Sequence, residues 1–261
     1  MSWKEIFSDK SPSVLPEIDL PIELAKLKAK GWLMSHRKDD TGIGKTIEDY
    51  LGIKENNLGE PDCLYKGMEI EIKGRRAKTN SMITLFTLEP SIRHLHDVEL
   101  MKKYGYRNGK GRQALKITLT PMGFTPQGLK IEVDKITGSI SIIDKVGSKP
   151  WTWTMADFHL KLHNLCIVYA DSKTIEEKEY FKIRNAILAT GLDDKKFFDL
   201  INKGAVKVDL RMHTKSNGGS RNHGTGFRLA NYAELVNCYE KVESILGDTT
   251  LDTTLDAKNQ E

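Results

Sequence analysis

The sequence predicts a mixed α+β protein, and three observations carry that prediction. Apolar and polar residues alternate at period two in short runs scattered from residue 61 to residue 212, the pattern of half-buried strands. Stretches with apolar residues at helical spacing lie between them. The two kinds of segment intermix without a regular β-α-β beat, which favours a mixed sheet flanked by helices over a doubly wound parallel one.

In chain order, residues 1–21 are punctuated by Pro and Ser and predict an arm. "IELAKLKAKGW" (22–32) reads as an amphipathic helix. "DDTGIGKTIEDYLG" (39–52) opens on Asp and Thr, sets Ile43, Ile47, Tyr50 and Leu51 at helical intervals, and stops at Gly52, predicting a second helix. Strands are predicted at Pro61–Tyr65, Met68–Lys73, Ile83–Phe86, Leu115–Thr120, Leu129–Val133, Ser139–Asp144, Leu165–Ala170 and Ala205–Met212. Further helices are predicted near 97–103, 154–163, 194–203 and 231–246. The aromatic pair of "KPWTW" (149–153) is assigned to core packing. The biased tail "DTTLDTTLDAKNQE" (248–261) has no core-forming content and is predicted to be disordered.

With 261 residues, 39% hydrophobic and 29% charged, the chain has core enough for one large domain or two small ones. A net charge of +4 permits an anionic partner without demanding one, so the clustering of charge is the more informative quantity. Cys63, Cys166 and Cys238 are odd in number, far apart and without paired zinc spacing, and read as buried free thiols in a reducing compartment. The start "MSWKEIFSDK" lacks an apolar signal core, and "LCIVYA" is the strongest apolar run. Neither secretion nor a membrane span is expected; a cytoplasmic location is.

The stretch "KGMEIEIKG" (66–74) is the most informative in the chain. Lys66-Gly67 lies between two alternating runs and reads as a two-residue hairpin turn. That turn sets Tyr65 against Met68, Leu64 against Glu69, Cys63 against Ile70 and Asp62 against Glu71, with Glu60 opposite Lys73. One face then carries Glu60, Asp62, Leu64, Glu69, Glu71 and Lys73, while Pro61, Cys63, Tyr65, Met68, Ile70 and Ile72 enter a core. Directly opposed side chains have Cβ atoms about 4.5–5.5 Å apart, and like charges there repel. A divalent cation between Asp62 and Glu71 reverses the sign of that interaction. Hard oxygen ligands at such a separation suit Mg2+, with Mn2+ or Ca2+ as substitutes in binding. Lys73, on the same face, then points at a phosphate or at the attacking water. The layout is the one metal-assisted phosphodiester hydrolysis requires. E-x-K alone arises by chance in a chain of this size; the opposed Asp62, the preceding Pro61 and the basic run that follows lift it above background.

That run, "KGRRAK", places Lys73, Arg75, Arg76 and Lys78 together with no acid among them, and Asn80 follows. Such a run beside a carboxylate pair holds a polyanion. "KKYGYRNGKGR" (102–112) gathers Lys102, Lys103, Tyr104, Arg107, Lys110 and Arg112 in a Gly-punctuated loop free of acids. "RMHTKSNGGSRNHGTGFR" (211–228) clusters Arg211, His213, Lys215, Asn217, Arg221, Asn222, His223 and Arg228. Guanidinium and amide groups pair with guanine and adenine edges, so base reading is placed in this segment. No metal spacing links His213 to His223, and zinc is not expected. His94 and His96 stay unassigned. "GIGKT" mimics the end of a phosphate loop, but that motif needs glycine where Asp39 stands, so no nucleotide cofactor is expected. Gly42 and Gly44 instead let the chain pass close to DNA or to the catalytic sheet.

Read as a whole, "TGIGKTIEDYLGIKENNLGEPDCLYKGMEIEIKGRRAKTNSMITLF" resembles the PD-(D/E)xK nucleases, and within them the MvaI/BcnI-type type II restriction endonucleases and their MutH-like relatives. The similar elements are the Gly-rich turn into the helix with Glu48, the "LG" that ends it, "ENN", the acid, and the ELKG-like "EIKG" with its continuation. "WTWTMADFHLKLHNLCIVYAD" (151–171) and "GTGFRL" are similar too, so the likeness is dense over 40–90 and intermittent elsewhere. The resemblance implies a mixed β-sheet flanked by helices, in two lobes forming a DNA cleft. It implies Asp62 and Glu71 as magnesium ligands, Lys73 as the group that positions or helps deprotonate water, and Glu48 as the acid completing the site. It further implies a monomer that cuts double-stranded DNA at a short specific site, one strand at a time, leaving 5′-phosphates.

On that reading residues 1–247 form a single nuclease domain, with a catalytic lobe at about 22–90 and a recognition lobe mainly at about 100–145 and 205–230. Eight residues separate Asp62 from Glu71, more than these relatives lead one to expect, which leaves Glu60 or Glu69 as substitutes for Asp62. The hairpin register favours Asp62, because Glu69 pairs with Leu64. Two rivals remain: a MutH-like mismatch-repair nicking endonuclease, and a catalytically inactive DNA-binding protein on the same scaffold. The intact set Asp62, Glu71 and Lys73 speaks against the second.

Overall fold

The structure, a computed structural model, describes residues 15–38, 41–54, 60–79, 81–159, 161, 163–192 and 194–247. The predicted disordered tail and Asn80 lie outside the described residues. The chain opens with α1 (Leu20–Ala29), β1 (Leu33–Met34), α2 (Gly42–Tyr50), β2 (Cys63–Tyr65) and β3 (Met68–Arg76). Next come β4 (Ile83–Thr87), β5 (Ile92–Arg93), α3 (Asp97–Tyr104), β6 (Tyr106–Arg107), β7 (Gln113–Leu119), β8 (Leu129–Asp134), β9 (Ser139–Asp144), β10 (Trp151–Thr154) and α4 (Met155–His159). β11 (Asn164–Ile175), β12 (Lys178–Leu192), α5 (Asp194–Asn202), β13 (Val206–Thr214), β14 (Ser220–Asn222), β15 (Gly226–Leu229), α6 (Ala233–Cys238) and β16 (Tyr239–Leu246) complete it. The chain divides into two compact units; among the described residues the first takes those up to 79, 164–188 and 243–247, and the second takes the rest.

In the first unit the strand order is β1-β12-β11-β3-β2, with β16 also on β12. The β2–β3 hairpin has the predicted register for three pairs, Tyr65 with Met68, Leu64 with Glu69 and Cys63 with Ile70; the ladder stops there, short of the predicted oppositions of Asp62 to Glu71 and of Glu60 to Lys73. Lys66 (φ 51°) and Gly67 (φ 72°) are both left-handed, as a two-residue turn between twisted strands demands. β3 runs parallel to β11, from Ile70 beside Asn164 to Arg76 beside Ala170. The apolar run of β11 is buried, as befits an interior strand with parallel pairing. Leu20, Leu24, Ile43 and Ile47 from the two helices pack with Ile70, Ile72 and Val168 into one core. The end of the predicted arm is not detached: Ile18 N–H donates to Leu64 O, and Leu64 N–H to Pro16 O, each at 2.8 Å.

The second unit holds two sheets, β5-β10-β9-β8 and β4-β15-β13-β7-β6, the latter with β14 on β13. Its centre is aromatic: Phe86 stacks on Phe227 at 5.1 Å, and Phe158 and Trp153 meet Phe227 edge-on at 5.3 and 5.6 Å. Trp151 and Trp153 are fully buried. Their indole N–H groups donate to Leu95 O at 2.8 Å and Leu88 O at 2.9 Å, so the tryptophan pair is core, as assigned. His96 begins α3, where its backbone N–H donates to the Glu99 carboxylate at 2.8 Å.

Three expectations are corrected. The helix predicted over 231–246 ends at Cys238, and the chain continues as β16. The run 102–112 is no single loop, since it holds the last turn of α3 and β6, which pairs with β7. β12 has no counterpart among the predicted strands. Its first half is crowded with Lys178, Glu179, Lys182 and Arg184, and the turn before it carries no glycine or asparagine. Glu176 (φ 49°) and Glu177 (φ 62°) make that turn in the left-handed region, which costs non-glycine residues about 1–2 kcal/mol each. Replacing Glu176-Glu177 by Asn-Gly therefore raises stability by about 1–2 kcal/mol, read as a higher denaturant midpoint at unchanged slope.

Candidate active site

Asp62 stands one residue before β2, and it is anchored twice to β3. Its backbone N–H donates to Ile70 O at 3.0 Å, and its Oδ2 accepts the Ile72 N–H at 2.6 Å. The carboxylate is thereby fixed at the hairpin end, next to the strand that carries Glu71 and Lys73. Lys73 Nζ contacts Glu71 Oε1 directly. Burial pushes the Asp62 carboxyl up to about 7, and the Glu71 charge pushes the same way. The Ile72 N–H opposes them, Glu48 adds a further upward push, and Lys73 a downward one. Glu48, on half-buried ground in α2, is thus within electrostatic reach of the hairpin, and the structure brings Glu48, Asp62, Glu71 and Lys73 into one neighbourhood. Glu69 is exposed and pairs with Leu64 in the ladder.

The donor set fits a hard divalent cation. Three carboxylates stand near one ammonium, and burial, reinforced by the Glu71 charge, makes Asp62 hold its proton unusually tightly. Among the described residues no three His, Cys, Asp or Glu side chains are grouped so that they could hold a metal ion together. Two carboxylates with water and phosphate oxygens filling the rest is the arrangement magnesium favours. The cysteines offer nothing here: all three are buried and free, and burial pushes Cys63 up to about 12 and Cys166 higher still.

In the second unit a cavity of about 530 Å³ opens on the sheet of β4, β15, β13 and β7, lined among others by Thr84, Lys116, Asp209, Arg211, His223 and Arg228. Asp209, almost fully buried, accepts from Thr118 Oγ1 at 2.6 Å, from Arg228 at 2.6 Å and from Arg211 at 2.9 Å. Burial pushes its carboxyl up, but the Thr118 and Arg228 hydrogen bonds and the Arg228 and Arg211 charges outweigh it and hold the group below the usual range. The imidazoles of His213 and His223, ten residues apart in sequence, lie 5.9 Å apart. Burial and the charges of Arg112, His223, Arg221 and Lys116 pull His213 down. Glu89 fixes the loop that presents His223, accepting from Thr225 N at 2.8 Å and Asn222 Nδ2 at 3.1 Å.

The model of the MvaI/BcnI restriction endonuclease family matches residues 22–236. This chain belongs to the MvaI/BcnI restriction endonuclease family. Among solved structures it is similar to the restriction endonuclease MvaI–cognate DNA substrate complex, at 30% identity and a TM-score of 0.75, covering 87% of this chain and 96% of that one. Restriction endonuclease MvaI in the absence of DNA is similar at 28% identity and a TM-score of 0.50, with the same coverage. Comparison with curated proteins gives no match. The mixed α+β fold predicted from the sequence is the fold of this MvaI/BcnI family member. Among the described residues no helix is long and apolar enough to cross a membrane.

The basic residues singled out in the sequence fall into distinct settings in this MvaI/BcnI relative. Arg211, Lys215, Arg221 and His223 are exposed around β13 and β14, with His213 half-buried beside them. Lys102, Arg107, Lys110 and Arg112 are exposed on α3, β6 and the turn that follows, where Asn108 Oδ1 accepts from Lys110 N at 3.0 Å and Arg112 N at 3.1 Å. Lys78 is exposed, and Arg75 donates to Thr79 O at 3.3 Å. Tyr104 is a correction to the predicted DNA-contacting set, and Arg76 is engaged within the protein. Tyr104 is buried and donates its hydroxyl to Asp144 at 2.8 Å, and Lys103 reaches the same carboxylate at 3.3 Å. Arg76 gives both arms of its guanidinium to Glu179 at 2.9 Å and lies over the Phe181 ring. Asp209, Lys116 and Glu89 escaped the sequence reading; Asp209 is held by Thr118 and Arg228 from distant strands, and Glu89 by Asn222 and Thr225, which no local motif marks.

Asp209 carries a pH signature. Its folded pKa lies below the unfolded one, so its stabilisation is complete above the ordinary carboxylate range and is lost as pH falls through the folded value. Asp209→Asn costs about 3 kcal/mol at pH 7 by leaving the Arg228 charge uncompensated. The loss shrinks as pH is lowered below about 4, measured by thermal melts across the acid range.

Proposed function

We propose that this restriction endonuclease hydrolyses double-stranded DNA at a short specific sequence by a magnesium-dependent reaction carried by Glu48, Asp62, Glu71 and Lys73. The observation that carries the reading is the Asp62 carboxylate, half-buried and held by the Ile72 amide near Glu71, Lys73 and Glu48. A magnesium ion, when bound, would supply the Lewis acidity that acidifies water and neutralises charge on the reacting phosphate. Asp62 and Glu71 would hold it. Glu48 adds negative charge that favours cation over proton at Asp62. Lys73 exchanges its contact with Glu71 for the attacking water and a non-bridging phosphate oxygen, orienting the first and stabilising the second. The water oxygen bonds to phosphorus as one of its protons passes to solvent, the bond from phosphorus to O3′ breaks, O3′ takes up a proton from solvent, and the products are a 5′-phosphate and a 3′-hydroxyl. The enzyme acts as a monomer in the cytoplasm, and it needs no nucleotide cofactor.

Sequence reading belongs, on this proposal, to the second unit and chiefly to Arg211, His213, Lys215, Arg221 and His223. Guanidinium groups of defined orientation make bidentate contacts to guanine O6 and N7. The Asp209 carboxylate supplies that orientation to Arg211 and Arg228. Lys78, Arg107, Lys110 and Arg112 act on phosphates, fixing register without reading sequence.

Incubation with plasmid and Mg2+, followed by mapping of the ends, is the direct test. Discrete double-strand fragments with 5′-phosphates are expected; nicking confined to hemimethylated sites points to a repair nickase, and binding without cleavage to an inactive scaffold. Glu71→Ala and Lys73→Ala abolish cutting while DNA affinity in a gel-shift assay persists; unchanged cleavage in either variant rejects the site. Arg211→Ala weakens discrimination between cognate and altered sites by about 1–3 kcal/mol, seen as relaxed cleavage specificity at one base pair.

A further inference from the structure

Gly74 closes the "EIKG" segment, directly after Lys73, and its place against α2 is unusually tight. A Cβ on Gly74 would lie 2.8 Å from Gly44 N, 3.0 Å from Gly44 Cα and 3.0 Å from Ile43 C, all backbone atoms of α2. No rotamer change relieves such a contact. Either the helix or the strand has to move. Reaching an ordinary contact of 3.4 Å from 2.8 Å takes about 0.6 Å of displacement. Neither helix nor strand is strained here for want of a left-handed conformation: Gly74 is absent from the positive-φ glycines, so the glycine serves closeness alone.

The consequence falls on Glu48. Gly44 and Glu48 are one helical turn apart on the same face of α2, and Glu48 Oε1 lies 3.8 Å from where a Cβ on Gly44 would be. The height of α2 over β3 at the Gly44–Gly74 contact therefore sets the height of the Glu48 carboxylate over the same strand. That strand holds Glu71 and Lys73, and its Ile72 amide holds Asp62. Ile43 and Ile47 clamp the helix to Ile70 and Ile72 from the core side, so the contact has a restoring force behind it.

We propose that Gly74 is a positioning residue for the reaction: by admitting the α2 backbone to β3 it holds Glu48 beside the Asp62–Glu71 pair assigned to the cation. The proposal rests on the assignment of those carboxylates as the active site. Its test is a double-mutant cycle of Gly74→Ala and Glu48→Gln, read by calorimetric titration of the full-length protein with Mn2+, by single-turnover cleavage in Mg2+, and by DNA affinity without metal. Gly74→Ala is expected to weaken Mn2+ binding and slow cleavage about 10- to 100-fold while DNA affinity stays within about twofold. On the Glu48→Gln background it is expected to change Mn2+ affinity by less than about twofold, because the group it positions is gone.

A purely structural role predicts otherwise. Gly31→Ala, strained by φ 76° with nothing near its Cβ, lowers the melting temperature of the same unit and serves as the stability control, with cleavage unchanged. If Gly74→Ala does not fold, Gly42→Ala displaces the same helix from its first turn, where a Cβ meets Ser35 Oγ at 2.4 Å and Arg37 O at 2.5 Å, and the same signature is expected. Unchanged Mn2+ affinity in a folded Gly74→Ala or Gly42→Ala variant, or losses that multiply fully with Glu48→Gln, overturn the proposal. Full activity and Mn2+ affinity in Glu48→Gln alone instead reject the assignment of Glu48 to the site.

Discussion

The hydrogen bond from the Ile72 amide to the Asp62 carboxylate replaces, with a side chain, the carbonyl that would otherwise continue the β2–β3 ladder. A ladder rung is directional and short, so it fixes the carboxylate more tightly than solvent exposure would allow. It also draws an acid into partly buried surroundings beside a second acid, at a cost that an isolated hairpin could not sustain. The core on the far face of the same strands, Cys63, Ile70 and Ile72 with Ile43 and Ile47, is what resists relaxation. Everything proposed for the chemistry depends on this placement. Lys73 is two residues from Glu71 on the same strand face, and α2 meets the strand at the next residue.

Half-buried Asp62 and buried Asp209 are driven in opposite directions, and the contrast bears on the different roles proposed for them. Asp62 has one amide and a distant ammonium against burial and two neighbouring carboxylates, so its proton is held to about 7. Asp209 has a hydroxyl and two guanidinium groups, which together exceed the penalty of burial. An acid left short of positive charge is ready for an external cation. One supplied in excess is already neutralised, and acts by orienting the cations that neutralise it.

Local chemistry made the hairpin legible: Lys66-Gly67 between alternating runs sets a register that the structure reproduces pair for pair over Cys63–Tyr65. The interior strand β11 showed itself by an uninterrupted apolar run. What stayed hidden was decided by partners distant in sequence. β12 begins among alternating charges that include Glu179, whose reason for being there is Arg76, about a hundred residues earlier. β16 carries apolar residues at spacings that suit a helix equally well, and only its place beside β12 makes it a strand. The side chains of the "EIKG" face were readable because strand alternation puts them on one side. Those around Asp209 were not, because Thr118, Asp209 and Arg228 come from three strands.

The first unit is assembled from three separate stretches of chain that alternate in sequence with those of the second, so that the division falls inside β12 and inside β16. No single crossover in a gene can therefore exchange one unit for that of a relative. A hybrid needs coordinated junctions near residues 79, 163, 188 and 242, two of them within paired strands where any slip reverses every side chain. Exchanging a whole unit between such chains is therefore far harder than substituting single residues on exposed strands and turns.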